Sequence, residues 1–91
     1  MNLDDIARHN TVDVRLCCKD WEAVRSTVRL PFDALGEEQD ETLGCIVEFP
    51  ALTHDQWAFL RPELDRMAIP YDYIDYAGVD AAWVRTLTSC N

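Results

Sequence analysis

Glycine is scarce in this chain. Gly36, Gly44 and Gly78 are the only three in 91 residues, so no glycine-rich loop of the kind that cradles phosphate runs through it. Histidine is scarcer still: His9 and His54 lie far apart, and neither an H-x-x-x-H nor a C-x-x-C spacing occurs, which leaves no metal-binding signature and no cofactor to expect. Between Leu30 and Leu60 there is no lysine or arginine at all. No apolar run approaches the roughly 18 to 20 residues that span a bilayer, and MNLDDIARHN has neither the basic nor the apolar region of a signal peptide. Repeats, low-complexity tracts and Gly/Ser linkers are missing too. The expectation is one domain, residues 1–91, cytoplasmic and away from membranes.

What is present supports a folded unit. An apolar fraction of 48% with 10% aromatics exceeds what keeps a chain disordered, and the length suits a single hydrophobic core. The net charge of −9 is unevenly placed. Five acids (Asp4, Asp5, Asp13, Asp20, Glu22) and five bases (Arg8, Arg15, Lys19, Arg25, Arg29) cancel over residues 1–29, so the whole excess lies in residues 30–91. Such a surface repels a phosphate backbone, which removes the main source of nucleic-acid affinity and favours a basic protein partner. Solubility alone is the plainer reason for an acidic balance.

Several segments carry local signals. MNLDDIARHN suits a helical turn with Leu3 and Ile6 on one side. In TVDVRLC, Val12, Val14 and Leu16 oppose Asp13, Arg15 and Cys17, the period of a half-buried strand. Residues 20–30 read two ways: Trp21, Val24 and Val28 have helical spacing, whereas from Val24 to Asp33 apolar and polar residues alternate, and Pro31 opposes a long helix. A short helix or turn at 19–24 and a strand at about 26–33 is the expectation. GEEQDET (36–42) reads as a solvated loop, and LGCIVEF as a central strand, apolar but for Glu48.

Thr53 and Gln56 match the capping box, with Leu52 and Trp57 as its hydrophobic staple. A helix should therefore start at Thr53 and bury Trp57, Leu60, Leu64 and Met67, with a kink or break near Arg61 imposed by Pro62. YDYIDY (71–76) follows as a strand presenting Tyr71, Tyr73 and Asp75 on one side and Asp72, Ile74 and Tyr76 on the other. Asp80 then caps a last helix burying Trp83, Val84 and Leu87. This order predicts an α+β two-layer sandwich: a small mixed or antiparallel sheet of about four strands with two main helices on one face.

No catalytic constellation emerges. Cys17 and Cys18 are adjacent and point apart on a strand, so an ion would need one of them with Cys45 and Cys90. Buried or free thiols, rather than a disulfide framework, are expected in a reducing cytoplasm. A Cys/His pair lacks a third orienting residue at a recognisable spacing, and an enzyme is not expected. Arg15, Arg25 and Arg29 would share a face if strands 12–17 and 26–33 paired, but Asp13, Asp20 and Glu22 dilute that patch, and cross-strand ion pairing is its simpler role.

The acidic, aromatic remainder directs the functional expectation. Tyrosines offer contact area at low entropic cost, and carboxylates steer an arginine-rich partner; the plainer role for YDYIDY is an edge strand kept from aggregating by its aspartates. The expectation is a small acidic inhibitor or an immunity or counter-defence type protein. It would block a basic, nucleic-acid-handling partner such as a nuclease by placing carboxylates where phosphates bind. The contact is expected at Asp33, Glu37, Glu38, Asp40 and Glu41 together with Asp72, Tyr73, Asp75 and Tyr76. The alternative is a homo-oligomeric accessory or small-ligand-binding domain without catalysis, its tyrosine strand paired with a symmetry mate.

Overall fold

The computed structural model describes residues 11–78 and 80–90. Strand β1 (Thr11–Cys17) runs directly into helix α1 (Cys18–Thr27). A hairpin of β2 (Glu37–Asp40) and β3 (Gly44–Thr53) follows, then helix α2 (His54–Arg66) and strand β4 (Asp72–Asp75). The sheet order is β2-β3-β1-β4 and every pairing is antiparallel. This is the expected two-layer α+β arrangement. The expected turn at MNLDDIARHN lies outside the described residues.

The sheet has two different faces. Val12, Val14 and Leu16 of β1 and Val47 and Phe49 of β3 are buried against Trp21 and Val24 of α1 and Trp57, Leu60 and Leu64 of α2. Here the alternation in β1 and the helical spacing in α2 meet as anticipated, and the Trp21 ring meets Phe49 edge-on at 5.1 Å. The other face carries a second, smaller core of Cys17, Leu43, Ile46, Leu87 and Cys90.

The capping box at α2 forms in full: the Gln56 N–H donates to Thr53 Oγ1 at 3.1 Å and the Thr53 N–H to Gln56 Oε1 at 2.9 Å. Of the kink or break expected near Arg61, the break does not occur, for α2 continues to Arg66. Pro62 and Ala58 both face solvent, so water can satisfy the carbonyl that the ring leaves without its N–H partner. The helix ends without glycine. Ala68 takes φ 56°, and the Ile69 N–H reaches the Leu64 carbonyl at 2.9 Å, joining two buried side chains as in a Schellman closure.

Four further expectations are corrected. Helix α1 runs to Thr27, and residues 26–33 enter no strand. Val28, Leu30, Phe32 and Ala34 are nevertheless half-buried while Arg29, Pro31, Asp33 and Leu35 are exposed. The alternation was a true signal of burial, and Pro31 cannot donate to a ladder, so an extended segment packs on the core without sheet pairing. Residues 37–40 are a strand, not a loop. Asp40 makes the hairpin by accepting the Thr42 and Leu43 N–H groups, both at 2.8 Å, and Gly44 supplies φ 99° just beyond the turn.

The expected C-terminal helix is instead an extended strap. Val84 bridges Tyr73 through two backbone bonds, of 3.1 and 2.8 Å, and the N–H groups of Thr86 and Leu87 turn to the Asp72 carboxylate rather than to a helical carbonyl. The strap is locked by a disulfide, Cys17–Cys90, and a second disulfide, Cys18–Cys45, ties the start of α1 to β3. The free thiols expected for these cysteines are therefore absent. Cys17 and Cys18, though adjacent, bridge to opposite sides of the sheet.

Candidate functional site

The residues expected to bind a partner separate into two groups. Glu37 and Glu38 lie on the terminal strand β2, and Asp33 and Glu41 flank it; all four are exposed. Tyr73 and Asp75 belong to β4 at the far end of the sheet and Tyr76 follows it. Three strand spacings separate β2 from β4, about 14 Å, so the acidic and tyrosine groups do not form one compact patch.

Two of the expected contacts are spent inside the protein. Asp40 holds the hairpin, and the Leu43 and Thr42 N–H groups lower its pKa, the first most. Asp72 is 1% exposed. Its carboxylate accepts the Arg15 Nε–H at 3.2 Å and the Thr86 and Leu87 N–H groups at 2.7 and 2.9 Å. A charge removed from water survives only when paired and hydrogen-bonded in this way. Arg15, whose guanidinium also lies 4.5 Å from the centre of the Trp83 ring, is thereby removed from any basic patch. Arg25 stands elsewhere, on α1 beside Glu22, so the cationic face that pairing of 12–17 with 26–33 would have made does not form, and Arg15 ion-pairs across strands as the simpler reading had it.

The tyrosines on the helix side of β4 are packing residues. Trp57 meets Tyr71 and Tyr73 at centroid distances of 5.3 and 5.4 Å, and Arg61 lies 4.9 Å over Tyr73. The Arg61 Nε–H donates to the Tyr71 hydroxyl, which donates to Asp65 at 2.8 Å. Burial, then the Asp65 bond, raise the Tyr71 pKa against the opposing pull of Arg61. A cleft of about 590 Å³ opens beside this cluster, walled also by Ile69, Pro70 and Val84. Asp75 pairs with His54 at 2.9 Å, its pKa lowered chiefly by the Ala77 N–H and further by His54, against the effect of burial. The Tyr76 hydroxyl donates to Asp13 at 3.1 Å.

At the other end the register assembles a feature that the sequence reading passed over. Glu48 stands opposite Arg15, and Glu38 stands opposite Ile46, which faces the strap. Glu38 and Glu48 thus share the face away from the helices. Burial pushes the Glu48 carboxyl up, Glu38 and then Asp13 push it further, and Arg15 only partly opposes them. A notch of about 140 Å³ lies here, lined by Leu35, Gly36, Glu37, Glu38 and Glu48. Leu35, 76% exposed, projects beside it. The signal available in the sequence was Glu48 itself, one acid in an apolar strand, but its company is set by pairing with β2.

All four cysteines are in disulfides, so no thiol nucleophile is present in this state. Among the described residues, one group has metal-ligand types close together: Cys18, Glu37 and Cys45. No helix among them is long and apolar enough to cross a membrane. No family model matches the chain, and neither a curated protein nor a solved structure matches it.

Proposed function

We propose that this protein binds and blocks a basic, nucleic-acid-handling protein, and that its β2 end receives a cationic side chain of that partner where a phosphate would otherwise sit. The observation that carries this reading is the acidic notch. Its volume suits one arginine or lysine side chain, Leu35 offers an apolar wall for the aliphatic stem, and Glu38 and Glu48 offer acceptors for the head. Burial first, and then the nearby charges of Glu38 and Asp13, raise the Glu48 carboxyl, and an incoming guanidinium favours its ionised form. Asp33 and Glu41 extend the field that draws the partner in. Two disulfides support action where thiols are kept oxidised rather than in the cytoplasm first expected.

The alternative of a twin paired through the tyrosine strand is disfavoured by the strap, which already takes both backbone groups of Tyr73. Pairing β2 with β2 would set acid against acid. The cleft beside Tyr71 and Tyr73 favours the small-ligand form of the alternative.

Immobilised protein is expected to retain a basic nucleic-acid-binding protein from host extract, and duplex DNA should displace it. The Glu38→Gln/Glu48→Gln variant should lose at least tenfold in affinity, with a weaker dependence on salt. Retention that DNA leaves untouched, or that survives the double substitution, removes phosphate mimicry at this notch.

A further inference from the structure

The two disulfides differ in their surroundings. Cys17 and Cys90 are 2% and 7% exposed inside the smaller core, whereas Cys18 and Cys45 are half-buried and Glu37 beside them is exposed. Reductants and ions in solution therefore meet the second pair first. Cys18 is also the first residue of the ten-residue helix α1, where the positive end of the helix favours a thiolate. One sulfur each from Cys18 and Cys45 and a carboxylate oxygen of Glu37 lie within 4.8 Å of one another. Glu37 is held there by backbone pairing, since it stands opposite Val47 in the β2–β3 ladder, while Cys45 is on the same hairpin opposite Gln39.

We propose that Cys18, Cys45 and Glu37 form a zinc-class cation site that is closed while the Cys18–Cys45 bridge is intact and open once it is reduced. A dithiol delivers two electrons and two protons to the bridge, leaving as its own disulfide and producing two thiols. Zn²⁺ then displaces the two thiol protons and takes the Glu37 carboxylate as third ligand, with water in the fourth position. Tetrahedral Zn–S bonds of about 2.3 Å put the two sulfurs about 3.8 Å apart. The pair has a Cα separation of 5.5 Å, and the hairpin and the helix end need move little to reach that spacing. Two thiolates and a carboxylate are a donor set that favours zinc over magnesium or calcium. The site lies on the face of β2 opposite the Glu38 carboxylate and does not depend on the proposed partner, because its occupant is an ion and its switch is the bridge.

The test uses the full chain under anaerobic conditions. Mild reduction with a dithiol, followed by alkylation of a sample, should label Cys18 and Cys45 before Cys17 and Cys90. The reduced protein, freed of reductant, should then take one zinc per chain from a chromogenic chelator, and cobalt should give a tetrahedral spectrum with thiolate charge transfer. Glu37→Gln should bind at least tenfold more weakly, Cys45→Ser should lose most of the charge-transfer intensity, and Cys17→Ser/Cys90→Ser should keep the site, with circular dichroism confirming that each variant is folded. The proposal is overturned if reduced folded protein holds no stoichiometric zinc, if Glu37→Gln binds within twofold of the parent, if the oxidised chain binds zinc equally well, or if the cobalt spectrum is octahedral.

Discussion

The two faces of the sheet are held by different physics. Beneath α1 and α2, apolar side chains from β1 and β3 meet those of the helices, and stability comes from area removed from water. Behind the sheet the strap brings only Leu87 and Cys90 as buried apolar residues, set against Cys17, Leu43 and Ile46. There, a cross-link and one buried carboxylate do what a large core does in front. The lesson is that an extended segment of eleven residues, 80–90, stays on a sheet when its backbone donors have a fixed acceptor and its end is tethered.

The sharpest way to break this contrast is Asp72→Ala. It strands Arg15 and the N–H groups of Thr86 and Leu87 at once, and losing one partner of a buried charge pair typically costs about 3–5 kcal/mol. Urea unfolding should register that loss. Limited proteolysis should cut within the strap before the helices, and uniform cleavage would mean that the two faces unfold as one.

Next comes the tether. The Cys17–Cys90 bridge spans 73 residues of sequence and the Cys18–Cys45 bridge 27. Loop-closure entropy puts the first at about 4.4 kcal/mol and the second lower, at about 3.5 kcal/mol. Cys17→Ser/Cys90→Ser should therefore lower the urea midpoint at least as far as Cys18→Ser/Cys45→Ser, and it alone should expose Leu87 and Ile46 to hydrogen exchange and solvent probes. A reversed order would place the holding power in front of the sheet.

The smallest effect concerns Glu48, behind the sheet. Its folded pKa is raised above the ordinary 4.5, so the folded chain binds that proton more tightly than the unfolded chain does. The carboxylate consequently costs stability, fully above the folded pKa, and the cost vanishes as pH falls below the unfolded value. Glu48→Gln should be more stable than the parent at neutral pH, by a few tenths of a kcal/mol for a group that is still partly solvated, and the two should converge below about pH 4. Unfolding midpoints measured from pH 3 to 8 test the sign. A gap that widens on acidification would contradict the burial of Glu48 and its crowding by Glu38 and Asp13.

How much of this was legible depends on how far the deciding partner lies in sequence. The alternation of Val12, Val14 and Leu16 and the Thr53/Gln56 box concern neighbours within four residues, and β1 and the start of α2 were read correctly from them. Asp72 looked like a solvent residue among tyrosines, because its partners are Arg15, 57 positions earlier, and a strap 14 and 15 positions later. Of the expected contact residues, Asp33, Glu37, Glu38 and Glu41 do reach the surface near β2, while Asp40 and Asp72 hold the fold together. Glu48, which joins Glu38 at the notch, was visible only as an exception in an apolar strand.

By itself the sequence determined the hydrophobic faces of β1 and α2, the acidity of residues 30–91, the two-layer α+β class and the opposite directions of Cys17 and Cys18. These follow from local periodicity, composition and the geometry of adjacent residues. Only tertiary structure decided that EEQD is a strand, that residues 28–34 are extended yet unpaired, that residues 80–90 lie flat rather than coil, and which cysteines join. Each of those choices turns on donors and acceptors supplied from elsewhere in the chain: the edge of β3 for β2, Asp72 for the strap, and Cys17 and Cys18 for the sulfurs that meet them. A backbone group pairs with whatever the fold brings within reach, and a local pattern does not encode that reach.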